Sequence, residues 1–152
     1  MSKAELDFCF QSEHANLSAI RLNAKTYQSE LKELHEILAE RNLSTFEYRA
    51  AERSLQVSIE AAIGVAKHWA KSLSGNSPNE AYQAFEVISQ YQLLTLEQLI
   101  NWRKVIGLRN ALVHDYLNID PNIMRSIIAQ GYYQQIFEFI TLGADALESS
   151  KV

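Results

Sequence analysis

The feature that most limits how this chain can fold is the absence of helix breakers from its first part. The first glycine is Gly64 and the first proline is Pro78, in a chain of 152 residues with only 5 glycines and 2 prolines. These two residue types interrupt helices more strongly than any others. Long helices are therefore expected, above all before residue 64.

Apolar residues recur at helical spacing along the first forty residues. Intervals of three, four and seven place them on one helix face: Leu6, Phe10, Leu17, Ile20, Ala24, Tyr27, Leu31, Leu34 and Leu38. Ser2 and Glu5 have capping-box spacing at its start. The segment 41–43 predicts a break, and Ser44 with Glu47 predicts a second capping box that opens the next helix.

The segment from about residue 45 to 72 is apolar nearly all round. It contains Leu55, Val57, Ile59, Ala61, Ala62, Ile63, Val65, Ala66 and Trp69. A helix of this kind is typically surrounded by others, so we expect the central helix of the domain here. Its one polar stripe, with a spacing of seven, is Arg53, Glu60 and Lys67, which we interpret as a solvated or interface face.

Loop and capping residues divide the rest of the chain. Residues 72–80, SLSGNSPNE, form a clear loop, in which Ser77 as cap and Pro78 as first helical residue predict a short helix to about Tyr91. Near the end, a cap at Asp120 is followed by proline and predicts a last helix to about residue 146.

The helix predicted between these two carries the densest group of polar residues. Thr95 with Gln98 opens it through a capping box, and it runs to about Tyr116. The count is then about five helices with short connections. We expect an all-α fold, a single up-and-down helical bundle formed by one domain over residues 1–152.

The end of this helix reads RNALVHDY, residues 109–116. At about 100° per residue, Arg109 falls at the edge of the core stripe and His114 about 140° away. The stripe consists of Val105, Leu108 and Leu112. An arginine near an apolar face is costly unless it is paired or meets an anion. The two side chains would converge if the helix loosens near its C-terminus, or if a second subunit supplies its own copy across a two-fold axis.

An arginine and a histidine without a metal cluster suit cleavage of an RNA phosphodiester. A histidine takes the proton from the ribose 2′-hydroxyl or gives one to the leaving oxygen. An arginine holds the phosphate through two donors and stabilises its developing charge. The 2′-hydroxyl is an internal nucleophile, so this chemistry needs no metal-bound water.

The same residues also have purely structural interpretations. His114 could be a solvent-facing histidine that interacts with the helix C-terminus. Arg109 could be a structural arginine paired with Glu60 or Asp115. Tyr116 could be a core tyrosine whose hydroxyl is hydrogen-bonded.

The net charge of −4 argues weakly against a nucleic-acid-binding protein, but the charges are unevenly spread. Between Glu97 and Asp115 there is no acidic residue, whereas Arg103, Lys104 and Arg109 fall there. A local positive patch around the motif is therefore compatible with the acidic total.

Several classes of protein are disfavoured by composition. The one cysteine, Cys9, leaves no internal disulfide and no cysteine-based zinc site, and it fits a reducing cytoplasm. The start of the chain does not read as a signal peptide, and no apolar run approaches the length of a membrane span. We expect a cytoplasmic protein without metal, cofactor or membrane partner.

The motif resembles the Arg-x-x-x-x-His-x-Tyr signature of HEPN domains, specifically of their HepT-like branch. The similarity extends to ERSLQVSIEAAIGVAKHW in the central helix and to AFEVISQYQLL before the motif helix, so it covers roughly residues 45–125. The bare Arg–His spacing is weakly specific. The asparagine after the arginine, the tyrosine two after the histidine and the downstream Asp-Pro cap make the match strong.

This resemblance implies a fold, an activity and a partner. HepT-like proteins are all-helical homodimers that act as metal-independent toxin ribonucleases, with composite sites at the dimer interface. Their partner is a minimal nucleotidyltransferase that serves as antitoxin and transfers AMP to the toxin. By resemblance, this chain would be dimeric through the motif helix and belong to a type VII-like pair.

The resemblance also assigns roles to individual residues. Arg109 and His114 would be the catalytic pair, and Asn110 would orient the site. Tyr116 would receive AMP, which adds phosphate charge beside Arg109 and silences the nuclease. Further residues that could line the site are Arg53, Glu60 and Asp115.

A different class of function is also compatible with the sequence. HEPN-like helical dimers serve as non-catalytic binding subunits for nucleotidyltransferases, and the long first helix would suit such a dimer. The intact Arg109–His114 pair favours the nuclease, because a pure scaffold does not need it.

Overall fold

A computed structural model describes the backbone of residues 3–114 and 119–150, and the side chains of residues 17–114 and 119–150. In these ranges every regular element is an α-helix, which confirms the predicted all-α class. The elements are α1 (Lys3–Glu40), α2 (Thr45–Ser74), α3 (Ala81–Gln90), α4 (Leu96–His114), α5 (Pro121–Ala129) and α6 (Gln134–Ser149).

The boundary between α1 and α2 follows the predicted capping box. The Ser44 hydroxyl accepts from the backbone N–H of Glu47 at 3.1 Å, and the Glu47 carboxylate accepts from the N–H of Ser44 at 2.8 Å. Arg41 pairs with the same carboxylate at 2.8 Å. At its other end α2 stops at Gly75, whose φ of 82° suits glycine because it lacks a Cβ.

The predicted start of α3 at Ser77 and Pro78 is wrong. The helix begins at Ala81, after Glu80, which makes no side-chain capping hydrogen bond. The two helices α2 and α3 pack directly against each other, so the chain needs the residues after Gly75 to turn back. Lys67 Nζ donates to the carbonyl of Asn79 at 3.4 Å within this turn.

The predicted last helix is two helices, so the described residues hold six helices rather than about five. Asp120 caps α5 as expected, its carboxylate accepting from the N–H of Asn122 at 2.9 Å. The helix then ends at Ala129, and Gly131 has a φ of 69°. That left-handed residue redirects the chain into α6, because an ordinary helix cannot pass through it.

The central helix is confirmed as the core of the fold. α2 contacts each of the five other helices and buries an apolar series along its length: Ala51, Leu55, Ile59, Ala62, Ile63, Val65, Ala66, Trp69 and Ala70. Aromatic rings join α3, α4 and α6 beside it. The Phe85 and Trp102 rings stack at 4.3 Å, and Trp102 meets Phe139 edge-on at 5.0 Å.

The predicted stripe of α1 packs on this core where its side chains are described. Three of its residues are buried, Leu17, Leu31 and Leu34, and four more are partly buried against the core, Ile20, Ala24, Tyr27 and Leu38. The Ser2–Glu5 box, Leu6, Cys9 and Phe10 involve side chains outside the described residues. Arg21 ties α1 to α6 through Asp145 and Glu148, each at 2.8 Å.

No helix in the described ranges combines the length and the apolarity that a membrane crossing demands.

Candidate functional site

Helix α4 carries the motif and starts where the sequence predicts. The Thr95 hydroxyl accepts from the N–H of Gln98 at 3.1 Å, and the Gln98 side chain accepts from the N–H of Thr95 at 2.9 Å. The described helix ends at His114, so residues 109–114 occupy its last turns. Asp115 and Tyr116, which were predicted to belong to the site, lie outside the described residues.

The motif residues divide between two sides of α4. Leu112 is buried and Arg109 is half-buried, whereas Asn110 and His114 are exposed. This burial agrees with the helical angles read from the sequence, which set Arg109 at the core edge and His114 away from it. In a single chain the two candidate catalytic side chains therefore point in different directions.

Arg109 has an unsatisfied donor at this core edge. Its Nε is buried and has no hydrogen-bond partner among the described residues. A buried N–H without an acceptor costs about 1–3 kcal/mol. The predicted alternative partner Glu60 is exposed and instead accepts from Gln56 at 3.4 Å, and no ion pair between described residues joins it to Arg109.

A cleft of about 260 Å³, here called the α2–α4 cleft, lies beside the motif. It is lined by Arg49, Glu52, Arg53 and Gln56 of α2 and by Leu112 and Val113 of α4. Of the predicted site-lining residues, Arg53 therefore lies next to the motif helix, and Glu60 is not part of this cleft. Arg49 and Glu52 were not predicted from the sequence to lie here. The spacing of four between Arg49 and Arg53 places these two residues one turn apart on the same face of α2.

The charges in this cleft influence one another. Glu52 is partly buried, and this burial raises the pKa of its carboxyl above the ordinary value of 4.5. The positive charge of Arg49 acts in the opposite direction and lowers the same pKa. The cleft thus holds two guanidinium groups and one carboxyl group whose charged form is disfavoured by desolvation.

The polar stripe of α2 is mainly a solvated face, as interpreted from the sequence. Arg53 and Glu60 are exposed, and Lys67 is half-buried beside the turn into α3. His68 is exposed too, next to buried Trp69.

A larger groove of about 470 Å³ borders α4 before the motif. Its wall from α4 consists of Asn101, Lys104, Val105 and Leu108, and its other residues are Leu55, Ile123, Ile127, Tyr132, Tyr133, Gln135 and Ile136. This groove separates α4 from α5. It lies away from the α2–α4 cleft, and none of the motif residues 109–114 lines it.

Part of the outer face of α4 is apolar and exposed. Leu96 is 71% exposed and Ile100 is 50% exposed. At 100° per residue, these two residues, Gly107 and His114 fall within about 40° of one another. The apolar face therefore leads along the helix to His114.

Among the described side chains, no three His, Cys, Asp or Glu residues come close enough together to hold a metal ion. The donors that gather near the motif are arginine and amide groups, which suit an anion better than a cation.

The chain is similar to known ribonucleases, in agreement with a site that suits an anion. A family model described as "Ribonuclease HepT-like" matches residues 25–142. A tRNA nuclease HepT of Aphanizomenon flos-aquae is 37% identical over 97 residues, which are 63% of this chain and 66% of the relative. An mRNA nuclease HepT of Shewanella oneidensis is 30% identical over 87 residues, 57% of this chain and 65% of the relative. The matched part spans just under two thirds of each of these relatives.

Solved structures share the fold at low sequence identity. One is a tri-AMPylated Shewanella oneidensis HEPN toxin in complex with an MNT antitoxin, with a TM-score of 0.71 and 21% identity over 83% of this chain and 94% of the other. Another is a toxin–antitoxin structure with AMP-PNP, with a TM-score of 0.72 and 20% identity over 84% of this chain and 97% of the other.

The family match covers most of the chain, including the central helix α2 and the whole of the motif helix α4. The helical fold and the RNALVHDY motif agree with it independently. This chain belongs to the HepT-like ribonuclease family.

Proposed function

We propose that this chain, as one HEPN domain, is a metal-independent endoribonuclease toxin of a type VII-like HEPN/nucleotidyltransferase pair, acting in the cytoplasm. The observation that carries the proposal is the placement of Arg109. Arg109 is the first residue of the family signature and lies at the core edge of α4. Its buried Nε–H has no acceptor among the described residues. An RNA phosphate would supply that acceptor.

The reaction follows from the two side chains. His114 takes the proton of the ribose 2′-hydroxyl, whose oxygen then forms a bond to the adjacent phosphorus. The bond from phosphorus to the 5′-oxygen breaks, and that oxygen takes a proton from water and leaves as a hydroxyl, while His114 returns its proton to water. The products are a 2′,3′-cyclic phosphate and a 5′-hydroxyl end. Arg109 donates to the phosphate oxygens as their charge grows, and Asn110 orients the site.

The divided motif supports a homodimer with α4 at its interface. Within one chain, Arg109 and His114 lie on different sides of the helix, so a second copy beside the first would complete a composite site. The apolar face of Leu96 and Ile100 leads to His114 and would be covered by such a copy. Gly107 on this face has no described neighbour within 4 Å of an added Cβ, so the packing of the described residues does not require a glycine there.

Control by a partner follows from the family signature. The proposed partner is a minimal nucleotidyltransferase antitoxin, and the modified residue is Tyr116, seven residues after Arg109. The relative's solved complex is of an AMPylated toxin with an MNT antitoxin, which supports the idea. AMP on Tyr116 would place negative charge and bulk beside the phosphate site and so block RNA.

Expression of the wild type beside Arg109→Ala and His114→Ala tests the nuclease. We expect growth arrest and RNA cleavage with the wild type, and loss of both with either variant. Cleavage should persist in chelator, because the 2′-hydroxyl is the nucleophile. If the wild type and both variants are equally harmless and leave total RNA intact, the chain is instead the non-catalytic binding subunit.

Tyr116→Phe tests the proposed control. The variant should cleave RNA like the wild type but resist silencing by the co-expressed partner with ATP. Mass spectrometry should locate AMP on Tyr116 of the wild type. AMP found on another residue would exclude the assignment.

A further inference from the structure

We propose that the α2–α4 cleft binds a second phosphate of the RNA strand, adjacent to the one that is cleaved, through Arg49 and Arg53. This inference rests on the proposed ribonuclease function and adds a substrate subsite to it. It gives the acidic protein a sequence-independent grip on the RNA backbone beside the catalytic motif.

The position of the two arginines is the first argument. They lie one turn apart on the same face of α2 and line the cleft together. The opposite wall is formed by Leu112 and Val113, and Val113 directly precedes His114. An anion held in the cleft would therefore lie close to the end of the motif helix, where the neighbouring phosphate of a bound strand must pass.

The availability of the two guanidinium groups is the second argument. Arg49 and Arg53 are exposed, and none of the ion pairs between described residues involves either of them. By contrast, Arg21 and Arg41 are both occupied by carboxylates. Two uncommitted arginines on one face present a set of donors that matches phosphate oxygens.

The one acid among the described lining residues does not cancel this charge. Glu52 is the single carboxyl group that the described part of the chain places in the lining, against two arginines. Its partial burial disfavours the carboxylate form, which weakens its opposition to an anion. The remaining lining residues are Gln56, an uncharged donor and acceptor, and the two apolar residues of α4.

The chemistry favours RNA over an acidic protein segment as the occupant. A cleft of about 260 Å³ accommodates a phosphate with part of its sugar. A single strand that is held without sequence preference uses a positively charged groove that follows its backbone.

The test measures RNA binding in a protein that cannot cut. In the His114→Ala background, fluorescence anisotropy follows a labelled single-stranded RNA oligonucleotide over a range of salt concentrations. Each phosphate contact contributes about 0.7 to the slope of log affinity against log salt for a single strand. Arg49→Gln and Arg53→Gln should each lower the slope by about 0.7, and equally for oligonucleotides of different sequence.

Three further variants serve as controls. Lys71→Gln removes one positive charge from an exposed site on the same helix, about 33 Å from Arg49, and should leave the slope unchanged. Arg53→Lys retains the charge and should restore the slope in full or nearly so. Glu52→Gln removes the opposing charge and should strengthen binding. Circular dichroism establishes that each variant is folded.

The outcomes separate this inference from the proposed function. If both glutamine variants show the parental slope while the protein with His114 cuts RNA, only the phosphate subsite is wrong. If the protein with His114 neither binds nor cuts RNA, the proposed function fails and the subsite with it. If RNA binding is unchanged but the nucleotidyltransferase partner binds more weakly to the glutamine variants, the cleft receives an acidic protein segment instead.

Discussion

At the scale of single residues, Glu47 at the start of α2 has a carboxyl pKa that its neighbours lower strongly. The hydrogen bond from Arg41, together with those at Ser44, lowers the pKa of its carboxyl from 4.5 to about 2. A carboxylate with a lowered pKa stabilises the folded state above its unfolded pKa, and this contribution disappears as the pH falls through the folded pKa.

Glu47→Gln should therefore change how stability depends on pH. Glutamine keeps a side-chain acceptor for the capping box but loses the ion pair with Arg41. We expect the wild type to exceed the variant in melting temperature above pH 4.5, with the difference vanishing as the pH approaches 2. Thermal unfolding by circular dichroism across this range measures it. A difference that stays constant with pH would contradict this origin.

Residue-level signals explain which parts of the site were predictable. The different sides of α4 on which Arg109 and His114 lie, and the burial of Leu112, depend only on the period of one helix. They could therefore be predicted from the sequence. Arg49 and Glu52 were missed, because they line a cleft only where α2 lies against the end of α4. That tertiary placement has no local signal.

At the scale of elements, capping chemistry separates correct boundaries from wrong ones. Ser44 and Thr95 were predicted correctly, because a capping box satisfies the first N–H groups of a helix from within four residues. The predicted helix start at Pro78 was wrong, and the predicted last helix ran through Gly131, where the chain in fact leaves α5 and enters α6. Proline permits a helix start without requiring one, and a lone glycine inside an apolar pattern ends a helix only where the chain must turn.

Helix α6 approaches α2 closely at Gly143. An added Cβ there would collide with Val65 and touch the ring of Trp69. Gly143→Ala should destabilise the fold by about 1–3 kcal/mol through overpacking. Gly64→Ala is the matched control, since nothing lies within 4 Å of its Cβ, and it should stabilise α2 by about 0.5–1 kcal/mol. Denaturant titrations compare the two, and equal effects would refute this contact.

At the scale of the whole molecule, a substitution at Gly107 distinguishes effects on folding from effects on dimer formation. Within one chain Gly107→Ala meets no obstacle and should stabilise α4 by about 0.5–1 kcal/mol. If the exposed face of α4 packs closely on a second copy, the same change should weaken the dimer. Sedimentation of the wild type and the variant at micromolar concentration measures this, with Gly64→Ala as control. A monomeric wild type would count against the proposed dimer.

The way in which α4 is attached has a consequence for local unfolding. Its first half is anchored by Trp102 between Phe85 and Phe139, whereas its last turns rest on α2 beside the α2–α4 cleft. Backbone amides around Arg109 should therefore exchange with deuterium sooner than those around Trp102. If RNA binds only when these turns are helical, as the proposed function requires, its binding should slow this exchange and order the segment that carries Arg109.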